Sequence, residues 1–246
     1  MRKEDLRTIL FAGIVCIICS LLLSATAASL KAKQNFNREN DRKLNVLKAF
    51  GTPTVDQHDK KISGEKITAL FKEYIHEIVI DPATGKEIQG LTIEALTEED
   101  IKQKIRLPLY MWEENNNITK YAFPASGMGL WSTVYSYIAL NEDVSSIVGV
   151  TFFGHKETPG LGGECSTDWF QDQFKDKKVW ENGKPLSFEV VKGGVLSKHP
   201  QGNDHAVDAI SGATMTGVGI EQFINQALES YGRYFDNVRR GAGTSS

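Results

Sequence analysis

Hydrophobic side chains are spread very unevenly along the chain. Residues 8–30 carry no charged side chain, and at about 1.5 Å per helical residue this stretch reaches roughly 34 Å, enough to cross a hydrocarbon core. The pattern predicts one membrane-spanning helix. A cleaved signal peptide competes with it, because Arg2, Lys3 and Arg7 precede the apolar run 9–23 and Ala25-Thr26-Ala27 resembles a cleavage site. The length of the apolar run favours a retained anchor. Further on, Leu44, Leu47 and Phe50 recur at helical spacing among charges, which predicts an amphipathic stalk or linker over residues 34–60.

Shorter periods follow. Residues 74–80 are rich in β-formers, and the turn residues Asp81-Pro82-Ala83-Thr84-Gly85 separate them from Lys86-Glu87-Ile88, predicting a strand pair. Thr97-Glu98-Glu99-Asp100 reads as a helix start. Runs 109–112 and 118–123 flank a polar segment as a second hairpin, strand-like runs follow at 130–140, 147–153 and 186–191, and a short helix is expected over 168–174. Ile220, Phe223, Ile224, Ala227, Leu228 and Tyr231 share one face, predicting a terminal helix of about four turns after Thr216-Gly217. The expected fold class is α+β: a tail and single N-terminal transmembrane helix (1–33), the stalk, an antiparallel-sheet domain with packed helices (61–236) and a flexible tail (237–246).

Composition narrows the function. The 246 residues include 28 Lys+Arg against 31 Asp+Glu, a formal charge of −3, and 41 % are hydrophobic. That is a globular composition with enough apolar material for a real core. Residues 1–33 hold five basic and two acidic side chains, so the remainder carries −6. Such a domain lacks the clustered cations that nucleic acid requires. Both flanks of the apolar run are basic, so the positive-inside count does not decide orientation; the short N-terminal tail and the ease of exporting long domains place the large domain outside. Cys16 and Cys19 lie in the apolar run and Cys165 stands alone in the rest, which excludes an internal disulfide framework there and assigns none of the three a role. His58, His76, His155, His199 and His205 show no metal-ligand spacing, and no metal is assigned. No nucleophile elbow, phosphate-binding GxxxxGK or dinucleotide fingerprint is present, so nothing points to hydrolysis and no catalytic residue is named.

Two segments hold residues that core packing does not need, and a third stands beside them. Glu157-Thr158-Pro159-Gly160-Leu161-Gly162-Gly163-Glu164 follows the strand ending near Phe153. It is either a tight surface connection or a rigid loop whose backbone approaches a flat ligand. Asp208-Ala209-Ile210-Ser211-Gly212-Ala213-Thr214-Met215-Thr216 runs into the terminal helix. Its Ser and Thr are either ordinary caps or the surroundings of an anion at the positive end of the helix dipole. Gly127-Met128-Gly129-Leu130-Trp131 places an aromatic ring at a strand entrance, as a core residue or as a platform for a cofactor.

Ser211-Gly212-Ala213-Thr214, with Asp208 ahead of it, resembles the flavinylation motif of the FMN-binding domain family, and residues 157–162 resemble that domain's second signature. The resemblance covers the anchor and about residues 90–231. In length and stalk the chain is similar to the singly anchored, FMN-binding component of sodium-translocating NADH:quinone reductases, while the FMN-binding component of the ion-translocating Rnf electron-transport complexes shares both motifs. The resemblance implies that a flavin transferase uses FAD to attach FMN by a phosphoester to Thr214, with Asp208 serving transferase recognition. It further implies FMN contacts from Trp131, Glu157, Thr158, Gly160, Leu161, Gly162, Ser211, Gly212, Ala213, Met215 and Thr216. The implied setting is a sodium-pumping complex of the bacterial inner membrane that carries electrons from NADH to ubiquinone. There an outward-facing FMN domain exchanges electrons, one at a time, with neighbouring membrane subunits, one holding an iron–sulfur centre and one a second flavin. Two other expectations stand beside it: an FMN-dependent sensor outside any pump, and a non-redox exported single-pass module.

Overall fold

The computed structural model describes residues 3–54, 62–181 and 184–241. The end of the expected stalk (55–60) and the last five residues of the expected tail (242–246) lie outside the described residues. The chain forms two compact units, Met1–Arg42 and Lys43–Ser246.

The first unit is helical. Helix α1 (Lys3–Ala49) is continuous over 47 residues, so the stretch expected as a separate amphipathic helix is the last part of α1. Leu10, Phe11, Leu21, Leu22 and Leu23 are all exposed, and one helix is long and apolar enough to span a membrane. An all-round apolar surface of this length is matched to lipid, where intrahelical hydrogen bonds satisfy the backbone.

The second unit is built on a six-stranded, wholly antiparallel sheet in the order β2 (Lys86–Glu87), β1 (Ile75–Asp81), β3 (Leu107–Glu114), β4 (Asn117–Met128), β5 (Thr133–Asn141), β6 (Ile147–Phe153). Helix α2 (Gly64–Tyr74), capped by the Ser63 hydroxyl accepting from the Lys66 N–H, runs straight into β1 (Ile75–Asp81). The Asp81 carboxylate accepts from the Ala83 N–H at 2.8 Å and turns the chain into β2 (Lys86–Glu87). Helix α3 (Glu98–Lys102) begins with a capping box of Thr97 and Asp100. Strands β3 (Leu107–Glu114) and β4 (Asn117–Met128) join through Asn115 and Asn116, both at positive φ, the geometry of a two-residue hairpin turn. Strands β5 (Thr133–Asn141) and β6 (Ile147–Phe153) complete the sheet. The run expected as strand from residue 130 starts at Thr133, because residues 129–132 form a turn.

Alternation along the strands divides the apolar residues between two layers. Leu107, Leu109, Met111, Tyr121, Phe123, Val134 and Ile138 form one core with the terminal helix. Tyr110, Trp112, Ala122, Tyr137 and Ala139 form the other, with Val46 and Leu47 at the end of α1, Phe50 just after it, and Ile67 and Phe71 of α2. Leu47 and Phe50, read from the sequence as one face of a stalk, are thus buried against the sheet.

Beyond β6 come a 3-10 turn (Gly162–Ser166), helix α4 (Asp168–Asp172), the short pair β7 (Trp180–Glu181) and β8 (Lys184–Pro185), strand β9 (Glu189–Val191), helix α5 (Val195–Lys198) and strand β10 (Ala206–Asp208). Of the expected strand 186–191 only the last three residues pair, parallel to β10. The final helix α6 (Thr214–Arg239) has 26 residues, roughly 39 Å. It starts four residues earlier than the spacing predicts and continues past Tyr231 into the segment expected as tail, because Tyr234 and Phe235 extend its buried face. Phe235 packs against Phe123 and Trp180 at ring separations of 5.5 and 5.2 Å.

The Tyr231 hydroxyl, fully buried, donates to the Pro108 carbonyl at 2.7 Å and ties α6 to β3. Tyr231→Phe strands that carbonyl without a donor and is expected to lower stability by about 1.5 kcal/mol, read as a lower urea midpoint at unchanged slope. Cys165 lies wholly inside the first core. Burial pushes its thiol up to about 12, with the nearby charge of Glu157 adding to the effect. At pH 8 it is therefore a thiol, the unreactive form. Iodoacetamide is expected to spare Cys165 in the folded protein and to label it in denaturant, a difference that mass spectrometry reads directly.

Candidate functional site

Three chain segments meet at the N-terminus of α6: the turn 129–132 after β4, the glycine loop 157–163 after β6, and residues 211–216. The side chain of Glu157 binds the first and last of them together. Its Oε1 accepts from the Trp131 N–H at 2.8 Å and the Ser132 N–H at 3.0 Å; its Oε2 accepts from the Leu130 N–H at 3.2 Å and the Thr216 hydroxyl at 2.8 Å. Glu157 is 6 % exposed and Thr216 1 %. Burial raises the carboxyl, but the hydrogen bonds from Trp131, Thr216, Ser132 and Leu130 outweigh it and hold Glu157 below the ordinary carboxylate range. The stability it contributes is complete above that range and is lost as pH falls through the lowered value.

The glycines around this carboxylate are there for space. A Cβ on Gly129 would lie 2.7 Å from Glu157 Oε1, and one on Gly162 would lie 2.5 Å from the Thr216 hydroxyl and 2.6 Å from Glu157 Oε2. Deeper in, a Cβ on Gly219 would fall 2.0 Å from the Met128 carbonyl oxygen, so the first turns of α6 press directly on the end of β4. In the glycine loop the Thr158 carbonyl accepts from the Leu161 and Gly163 N–H groups, and the Gly160 N–H, at φ +74°, donates to Glu164 Oε1. Leu161 reaches across to Gly212.

Thr214 is the first residue of α6 and is exposed; Ala213 precedes it at the N-cap position with no side-chain cap. The start of a long helix is therefore left without the Ser, Thr or Asp oxygen that ordinarily covers it. Ser211, Gly212 and Met215 are exposed beside it, as are Leu130 and Leu161, and Trp131 is 69 % exposed.

The segments singled out from the sequence thus converge, but their residues face different ways. Thr158, Gly160, Leu161, Ser211, Gly212, Thr214, Met215 and the Trp131 ring are open to solvent, whereas Glu157, Gly162, Ala213 and Thr216 are turned inward. Asp208 stands apart: its carboxylate accepts from the Val195 N–H at 2.6 Å and its own N–H donates to Gln173 Oε1 at 2.8 Å, linking β10 to α5 and to the residue that follows α4. Two contributors are absent from the sequence reading, Ser132, whose hydroxyl accepts from the Lys156 N–H at 2.7 Å, and Gly219; Glu164 was read only as the end of the glycine loop, without a role of its own. Gly219 was in principle detectable, as a helix-breaking residue on the apolar side of a strongly periodic helix. A cleft of about 900 Å³, lined by His76, Glu87, Tyr121 and Asn237 among others, lies by the other end of α6 and contains none of the motif residues. Among the described residues no group of three or more His, Cys, Asp or Glu is placed to hold a metal ion.

Residues 129–229 match the FMN-binding domain model, the stretch that contains all three converging segments. With the apolar N-terminal helix, this defines the class: a membrane-anchored protein with an FMN-binding domain. The NqrC component of the Na(+)-translocating NADH-quinone reductase of Vibrio alginolyticus is 30 % identical over 92 % of this chain and 91 % of its own length. That of Vibrio vulnificus strain YJ016 is 31 % identical over 92 % of each. The crystal structure of NqrC from Parabacteroides distasonis superposes with a TM-score of 0.71 at 27 % identity, covering 88 % of this chain and 98 % of that one. The chain belongs to the NqrC family of Na(+)-translocating NADH-quinone reductases.

Proposed function

We propose that this chain is the flavin-carrying electron-transfer subunit of a Na(+)-translocating NADH:quinone reductase and holds FMN covalently, through a phosphoester to Thr214. The single observation that carries this reading is the placement of an exposed threonine as the first residue of a 26-residue helix that lacks a side-chain cap. The unsatisfied N–H groups and positive dipole end of such a helix favour a phosphate.

The residues present fit the group. Ser211, Gly212 and Ala213 give the backbone a close approach to the phosphate side, with Gly212 at φ +73°, a conformation glycine adopts without strain. Leu161, Met215 and the Trp131 ring supply exposed apolar surface for a flat heteroaromatic body. Gly160 and Gly162 keep the loop low, Thr158 offers a polar edge, and Glu157 and Thr216 hold the loops in register from inside. FMN supplies reversible electron uptake, and the chain's own task is to hold it, orient it and keep it from diffusing away. Asp208, on the neighbouring strand, is assigned to recognition by the flavin transferase. Residues 1–33 anchor the chain in the bacterial inner membrane with the large domain (61–236) on the outer face, and the electron partners are other membrane subunits, one with an iron–sulfur centre and one with a second flavin.

The test is intact-mass spectrometry of the full chain purified from its native membrane, with a denaturing gel viewed under ultraviolet light. The expected result is a fluorescent band whose mass exceeds the polypeptide's by one esterified FMN. A mass equal to the bare polypeptide overturns the reading.

A further inference from the structure

Four hydrogen-bond donors converge on the Glu157 carboxylate: three backbone N–H groups from consecutive residues and one hydroxyl from α6. Only a group that accepts and never donates satisfies all of them, since an amide in the same place would turn its own N–H₂ toward a donor. The shape of the site therefore asks for a charge, not merely for a polar side chain. No Lys, Arg or His side chain pairs with this carboxylate among the described residues, and dipoles alone stabilise it. Its field already reaches Cys165, whose thiol it helps to raise. A charge held in a poorly screening interior acts on its surroundings much more strongly than one in water. The segments it touches, 130–132, Gly162 and Thr216, are the inner wall of the loops that surround Thr214.

We propose that Glu157 is both the positioning residue of this site and its fixed negative charge, and that this charge holds the midpoint potential of the flavin below the value that a neutral residue there would allow. The inference rests on the flavin reading given above. The physical reason is direct: taking up electrons adds negative charge to the flavin, and a nearby buried anion without a counter-cation opposes that change. The hydrogen bonds keep the charge in place through the same contacts that align the loops.

The test is a spectroscopic redox titration of the full-length flavin-loaded chain, with the yield of flavin on Thr214 measured in parallel. Glu157→Gln is expected to move the midpoint to a more positive potential while the yield of attached flavin persists. Thr216→Val, which removes one hydrogen bond and keeps the charge, is expected to leave the midpoint unchanged or more negative. A fully loaded Glu157→Gln with the wild-type midpoint overturns the proposal, as does a positive shift in Thr216→Val equal to that of Glu157→Gln, since loosened packing would then account for both. If Glu157→Gln is recovered without flavin, Thr216→Val alone decides: a positive shift overturns the proposal and any other result supports it. Wild-type chain without flavin would instead overturn the preceding reading, so the two failures are distinguishable.

Discussion

Thr214→Ala is expected to abolish covalent flavin completely, leaving a band that is dark under ultraviolet light and has the mass of the bare polypeptide, while the protein stays folded. Thr214 is exposed and its side chain caps nothing, so its truncation falls among surface substitutions that change stability by about 0.5 kcal/mol or less. The loss is therefore chemical, not structural. Thr214→Ser keeps a hydroxyl at the same backbone position and is expected to retain labelling. Thr216→Ala, two residues on, removes a buried hydroxyl bonded to Glu157 at 2.8 Å; it is expected to keep labelling and lose stability instead. Labelling of Thr214→Ala equal to wild type would exclude Thr214 as the attachment residue.

Gly219→Ala is expected to destabilise the domain by about 3 kcal/mol, the upper part of the range for overpacking. The added methyl would lie 2.0 Å from the Met128 carbonyl oxygen, a backbone atom that has no rotamer by which to move aside. Relief requires lifting the first turns of α6, with Thr214 at their start, from the end of β4. Chemical denaturation and flavin yield should therefore fall together. Gly232 is the control within the same helix: a Cβ there meets nothing within 4 Å, so Gly232→Ala is expected to stabilise by about 1 kcal/mol through helix propensity alone. Equal effects at the two positions would exclude close packing as the cause.

The sheet was legible because its strands are apolar runs rich in β-formers and its turns use strong punctuation: Asp81 to Gly85 and the Asn115-Asn116 pair both fall within the turn segments that the sequence marks. Helix α1 was legible in its apolar part, but its continuity to Ala49 was not, because the change from an all-round apolar surface to a one-sided one looks locally like a new element. The length of α6 was underestimated because Tyr234 and Phe235 fall among the charged and polar neighbours Arg233, Asp236 and Asn237, which interrupt the apolar pattern. The motif segments could be found by composition, since they carry glycines no core requires. Their division into residues facing solvent and residues facing inward could not, because it depends on one carboxylate meeting donors 25 to 59 positions away. Such contacts leave no periodicity to read.

The bond between Thr216 and Glu157 spans 59 positions, and α6 supplies both that hydroxyl and a large share of the first core. Thr214, the proposed acceptor, thus acquires its surroundings only when the C-terminal helix has seated on a finished sheet. Loading with a prosthetic group at this position would then act as a checkpoint on biosynthesis: immature or prematurely terminated chains offer no competent acceptor, and colour alone would distinguish completed subunits from folding failures.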